Sequence, residues 1–326
     1  VPLLAAAAAN QLVTQEAVAQ QAERMLDDPR AASKLRQFLL QWLKVELPPE
    51  LSKDPAQYPD FGAAVAADLR TSLELFLDEV IASPSADFRQ LLLADYVYLN
   101  DRLAKFYGLA PPGGAGFQRV VLDPGARAGV LSHPYLLTNF AYTSTSSPIH
   151  RGLFLARSVL GRSLRPPPIG VAPLAPDLHP DMTTRERVTL QTSPDACQMC
   201  HRLINPLGFT LENFDAVGRY RTAERGRAID ARGEYETAAG QRVELSNVRE
   251  LAEFLATSDE AQAAFAEHLF HHLVKQPIYA YGPATVEQIH GSLARHNFNI
   301  RKLMLETMTA SALARRSTDL ARGPGR

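Results

Sequence analysis

Both cysteines of this 326-residue chain stand in one short string, Cys197-Gln198-Met199-Cys200-His201. Two intervening residues put both sulfurs on one side of a helical turn, and an imidazole follows directly. That is the attachment signature of c-type haem: each thiol adds to one vinyl group of the porphyrin, and the histidine ligates the iron from the proximal side. Two other chemistries use such a pair. A redox-active or structural disulfide needs only the two thiols. A zinc site wants four ligands, and this chain offers two thiolates, with a histidine directly beside one of them, a spacing zinc sites rarely use.

The residues downstream suit a haem pocket. Leu203, Ile204, Leu207, Phe209, Leu211 and Phe214 supply apolar surface, as pocket wall or as ordinary domain core. The carbonyl region of Pro206 is a candidate acceptor for the His201 ring N–H, a contact that would fix the tautomer. Arg219 and Arg221 are candidates to face haem propionates. The sixth iron ligand stays open, because a thioether or a second imidazole would serve. The methionine candidates are Met182, Met304 and Met308, and His133, His150, His179, His268, His271, His272 and His290 are the histidines. Met182 stands out because a Pro-rich stretch precedes it. Met304 and Met308, at i and i+4 of an amphipathic segment, read as core. No nucleophile elbow, zinc-protease, P-loop or dinucleotide motif occurs.

Helices must position these groups. Hydrophobic residues make up 46% and charged residues 21%, which excludes a disordered chain and a fibre and fits a globular, multi-domain protein. A net charge of -1 gives no warrant for nucleic-acid binding. No apolar run reaches the roughly 18 residues of a membrane span. Leu35, Phe38, Leu39, Trp42 and Leu43 fall at i, i+3, i+4, i+7, i+8 and predict a helix over 29–45, stopped by Pro48-Pro49. Val65, Leu69, Leu73, Phe76, Leu77 and Val80 predict another over 61–81. Thr14 is a candidate cap for a helix to Leu26, and Thr183 or Thr184 for one before the cysteines. Pro111 to Gly116 reads as a linker, 117–122 as a short strand, and 166–180 as an extended Pro-rich stretch. A β-hairpin is expected from 228–235 and 241–245, with helices over 248–256, 260–274, 285–295 and 300–312.

The string from Cys197 to Arg221, with its Asn205-Pro-Leu-Gly208 and Glu212-Asn-Phe-Asp215, strongly resembles the planctomycete-type cytochrome c family. Ala128-Gly-Val-Leu-Ser-His133, Thr145-Ser-Ser-Pro-Ile-His-Arg-Gly152 and Thr183-Thr-Arg-Glu-Arg187 are similar to the start of the same domain. Leu99-Asn-Asp-Arg-Leu-Ala-Lys-Phe-Tyr-Gly108 resembles the helical domain of unknown function that precedes it. The last third resembles the small domain that follows, although His268-Leu-Phe-His-His272 departs from the expected pattern. The implied organisation is a helical domain over 1–116, a haem domain over 117–227, a small domain with a hairpin over 228–314 and a disordered tail over 315–326. The fold class is mainly α.

The resemblance implies one covalent haem c per chain, held by Cys197, Cys200 and His201, with Pro206 and Phe209 beside it and Met182 as candidate distal ligand. It further implies an exported protein, periplasmic or otherwise extracytoplasmic, that lacks its upstream region here. A redox partner protein, or a cytochrome domain in cis, would exchange electrons with it. The alternative is a haem-dependent oxidoreductase acting on an extracytoplasmic or polymeric substrate, which needs an open sixth position. A third class is an interaction module in which haem merely completes a core.

Overall fold

The computed structural model describes residues 2–46, 50–164 and 179–313. The Pro48-Pro49 stop, most of the Pro-rich stretch and the tail lie outside the described residues. Among the described residues the chain is mainly α with three small antiparallel strand pairs. In chain order the helices begin with α1 (Pro2–Ala8), α2 (Gln15–Leu26), α3 (Pro29–Trp42), α4 (Ala63–Ala82), α5 (Gln90–Leu93) and α6 (Asp101–Phe106). They continue with α7 (Pro134–Asn139), α8 (Pro148–Phe154), α9 (Thr184–Gln191) and α10 (Asp195–Phe209). The last are α11 (Val248–Thr257), α12 (Asp259–Val274), α13 (Pro283–His290), α14 (Ser292–Arg295) and α15 (Ile300–Leu313). No helix among the described residues is long and apolar enough to cross a membrane.

The strands are short. β1 (Tyr96–Leu99) pairs with β2 (Gln118–Val121), so residues 111–116 lie in the connection between paired strands. β3 (Ala223–Glu224) pairs with β4 (Arg227–Ala228). β5 (Gly233–Glu236) pairs with β6 (Arg242–Leu245), the expected hairpin with a later first strand.

Local signals set most boundaries. Thr14 caps α2 by accepting from the Ala17 N–H. Thr183 and Glu186 close a capping box at the start of α9, each satisfying a backbone N–H of the other end. Ser147 caps α8, whose first position is Pro148. α3 ends earlier than the apolar pattern predicts: Lys44 adopts φ 59°, a left-handed turn that breaks the helix before the prolines.

By contacts the chain divides into two compact units. One is built from the stretches up to Leu40, Asp78–Phe88 and from Gln262 onward. There α2 packs on α15, and Phe265 meets Phe38 and Phe88 at 5.2 and 4.6 Å between ring centroids. The other comprises Gln41–Leu77 and Arg89–Ala261 and contains the cysteines. Leu69, Leu73, Phe76 and Leu77 of α4 are fully buried within it, the i, i+4, i+7, i+8 stripe read from the sequence. α8 runs into a π-turn at Leu155–Val159 and crosses α10 at very short range. Two glycines permit that approach. A Cβ on Gly152 would strike the Ile204 carbonyl, and one on Gly208 would strike the Pro148 carbonyl. Gly233 of β5 lies against the Pro206 carbonyl in the same way. α10 is thus clamped on two sides by backbone contacts that any side chain would prevent.

Candidate functional site

The cysteine string lies in the first turns of α10. Cys197 and Cys200 are half-buried free thiols, three residues apart and therefore on one face of the helix. Met199 between them is 75% exposed, so this end of α10 faces solvent. Neighbouring thiols have not paired, and among the described residues no three His, Cys, Asp or Glu side chains converge as a metal-ion site needs.

His201 lies one turn after Cys197. Its Nδ1 is 2.9 Å from Asn205 Oδ1, the residue one turn further on. Asn205 is buried and its Nδ2 donates to Thr192 Oγ1 at 2.8 Å. Thr192, also buried, donates in turn to the Val188 carbonyl at 2.8 Å. The sequence suggests the carbonyl region of Pro206 as acceptor for the imidazole. The structure puts the Asn205 side chain there instead, and the Pro206 carbonyl lies against Gly233. Within α10 Pro206 also removes the hydrogen bond its nitrogen would have given to the Arg202 carbonyl.

His201, Asn205, Pro206 and Phe209 line one open groove of about 270 Å³. Arg185 of α9 closes its side, with the guanidinium 4.2 Å from the centre of the Phe209 ring and donating to the Asp230 and Arg232 carbonyls. A polar cavity of about 620 Å³ adjoins it and shares Arg185 and Thr189. Of the apolar residues after the motif, only Phe209 reaches the groove. Ile204, Leu207, Leu211 and Phe214 are buried as core.

Met182 stands next to Thr183 at the start of α9 and does not line the groove that holds His201. His133 is excluded as a ligand by its own bonds. Its Nδ1 accepts from the Tyr135 N–H and its Nε2 lies 3.2 Å from Ser72 Oγ. Arg219 and Arg221 are committed elsewhere. Arg219 packs on the Phe106 ring and donates to the Phe106 carbonyl, and Arg221 pairs with Glu212 and Glu224.

Behind α10 sits a buried charged centre that the sequence reading missed. Arg151 is 1% exposed and donates to the carbonyls of Leu211, Phe214 and Asp215 at 2.8–2.9 Å. Glu212, 2% exposed, lies 3.8 Å from Arg151 and accepts from Ser146 Oγ at 3.0 Å. Burial disfavours both charges, pushing the guanidinium down to about 10 and the carboxyl up. This centre ties the Ser146-Ser-Pro-Ile-His-Arg-Gly152 string to the end of α10 and the turn after it.

The described donors fit a covalently held haem: two adjacent unpaired thiols, and an imidazole whose Nδ1 is occupied while no hydrogen bond engages Nε2 among the described residues. The groove is slightly smaller than the roughly 300–1,000 Å³ of enclosed ligand pockets. The described residues therefore supply the attachment points without enclosing the group, and residues 165–178 lie outside them.

Comparison with known families falls on the same ground. Residues 127–224 match the family PSCyt3, a protein of unknown function (DUF1588). Residues 2–109 match PSD4, also a protein of unknown function (DUF1592). Both are planctomycete cytochrome-type domains of unknown function. No curated protein and no solved structure matches the chain. The segment 127–224, which matches PSCyt3, holds the cysteine string, the Asn205–Thr192 chain and the Arg151–Glu212 centre together.

Proposed function

We propose that the chain is a mono-haem c-type cytochrome module of an exported multi-domain protein, and that its task is electron transfer. The observation that carries this reading is the end of α10: two free, half-buried thiols and an imidazole with Nε2 unengaged, on consecutive turns of a helix clamped from behind. Cys197 and Cys200 would hold the porphyrin through two thioethers, each made by addition of S–H across a vinyl group with no net oxidation. His201 would supply the nitrogen to the iron. When bound, haem supplies a one-electron couple, and the protein sets its potential and exposure. Phe209 and Pro206 offer apolar surface beside the imidazole, and Arg185 offers a cation at the groove edge. The near-neutral chain gives little long-range steering, so a partner domain in cis or a tethered redox protein fits better than a freely diffusing, oppositely charged one. Covalent attachment of this kind belongs outside the cytoplasm, which supports an extracytoplasmic location.

The test is expression of the chain in a periplasm with a working cytochrome c maturation system. A denaturing gel should keep a haem-stained band, and intact mass should rise by one haem. Cys197→Ala and Cys200→Ala should each weaken that stain, and the double variant should abolish it. A wild-type chain that stays colourless under these conditions sinks the reading.

A further inference from the structure

The side chains behind His201 form a chain whose order of donors and acceptors has a consequence for the ring. Thr192 has one hydroxyl proton, and it goes to the Val188 carbonyl at 2.8 Å. Thr192 Oγ1 therefore meets its other neighbour as an acceptor, and Asn205 must present its amide N–H₂ to it, at 2.8 Å. That turns Asn205 Oδ1 toward His201. A carbonyl oxygen only accepts, so at 2.9 Å the proton of the neutral imidazole must sit on Nδ1. Reversing the Asn205 amide would also reverse the ring, but Thr192 would then donate to Asn205 and forfeit its bond to Val188, leaving one hydrogen bond fewer. Asn205 and Thr192 are 7% and 3% exposed, so both are largely shielded from water although they border the groove.

We infer that Asn205 and Thr192 are positioning residues that lock His201 as the Nδ1–H tautomer, so that Nε2 already presents its lone pair before a metal arrives. This rests on the reading of His201 as proximal ligand, and it adds a means of tuning. A stronger acceptor on Nδ1–H makes the imidazole a stronger donor to iron and favours the ferric state.

Two measurements test it. The first needs no haem. In the ¹⁵N-labelled, unloaded full chain, long-range proton–nitrogen correlation should find the His201 ring, assigned by its loss in His201→Gln, protonated on Nδ1. In Thr192→Val, which keeps the shape of the side chain and removes its hydroxyl, the tautomer should shift measurably toward Nε2–H, while backbone spectra show an intact fold. Nε2–H in the wild type, or a ratio unmoved by Thr192→Val, overturns the inference whether or not the chain takes up haem. The second uses the haem-loaded chain. Asn205→Asp should lower the reduction potential and Asn205→Leu should raise it. Shifts in the same direction, or none, overturn the tuning role. A chain that shows the locked tautomer but takes no haem would sink the cytochrome reading and leave the tautomer assignment standing.

Discussion

Replacing Arg151 by Met should cost this domain most of its stability. The guanidinium is fully buried and satisfies the carbonyls of Leu211, Phe214 and Asp215, the turn that follows the cysteine helix. Met replaces the apolar stem of the side chain but not the guanidinium, so those carbonyls lose their donors. Each lost partner costs on the order of 1 kcal/mol or more. Removing one partner of a buried ion pair costs about 3–5 kcal/mol, and the lower end applies here because Glu212 keeps Arg221 at 3.5 Å as its remaining cation. Overlap between these losses puts the total at roughly 5–7 kcal/mol, against the roughly 5–15 kcal/mol that holds a typical domain together. Trp42 gives the assay. It is the only tryptophan, it is buried in the same unit, and its indole N–H donates to the Ser158 carbonyl at 2.8 Å. Its fluorescence through a urea titration should report a midpoint near zero denaturant for Arg151→Met. Adding Glu212→Gln removes the under-compensated charge and should recover roughly 1–3 kcal/mol. A single variant within about 1 kcal/mol of wild type would refute the assignment of Arg151 as the anchor of the turn.

Gly208→Ala should destabilise by roughly 1–3 kcal/mol in the same titration, since its new methyl meets the Pro148 backbone of α8, while Gly62→Ala, with open space around it, should be near neutral. A tolerated Gly208→Ala would mean that the two helices can separate freely. Thr183→Ala removes half of the capping box on α9 and should cost about 1 kcal/mol, with faster hydrogen exchange at the first amides of α9 as its local signature. Unchanged exchange there would count against the cap. Burial holds the His133 imidazole down to about 3, whereas in the unfolded chain it titrates near 6.5. The unfolded state therefore binds the extra proton between these values. The His133 contribution is complete above pH 6.5 and declines as pH falls toward 3, by roughly 3 kcal/mol at pH 4. His133→Gln should flatten that part of the stability–pH curve, and parallel curves for the two proteins would remove His133 as the cause.

What could be read in advance divides along physical lines. Helices α2, α3, α4 and α11 announce themselves because burial against one face imposes a 3.6-residue period and caps act within four residues. β1 escaped, since Tyr96–Leu99 gains its strand identity only from β2, across the intervening glycine-rich segment. Arg151 and Glu212 escaped for a different reason: charged side chains are expected at the surface, and no local pattern marks the exception that is paired inside. Asn205 was within reach. Once 195–209 is read as a helix, His201 and Asn205 stand at i and i+4, side by side.

This division bears on the resemblance carried by the segment from Cys197 to Arg221. Asn205 serves the ring, but Gly208, Glu212, Asn213 and Asp215 serve the helix crossing and the turn, through Pro148, Arg151, Arg221 and the amides of Val217 and Arg219. Much of that similarity is therefore a statement about the fold. The two thiols are different. Cys197 and Cys200 are half-buried and free, with no hydrogen-bond partner for either sulfur among the described residues, and they sit on a helix held in place from its opposite faces. The contacts of α10 with its neighbours do not involve either sulfur, and the covalent haem capture proposed above would use both thiols and the imidazole at once.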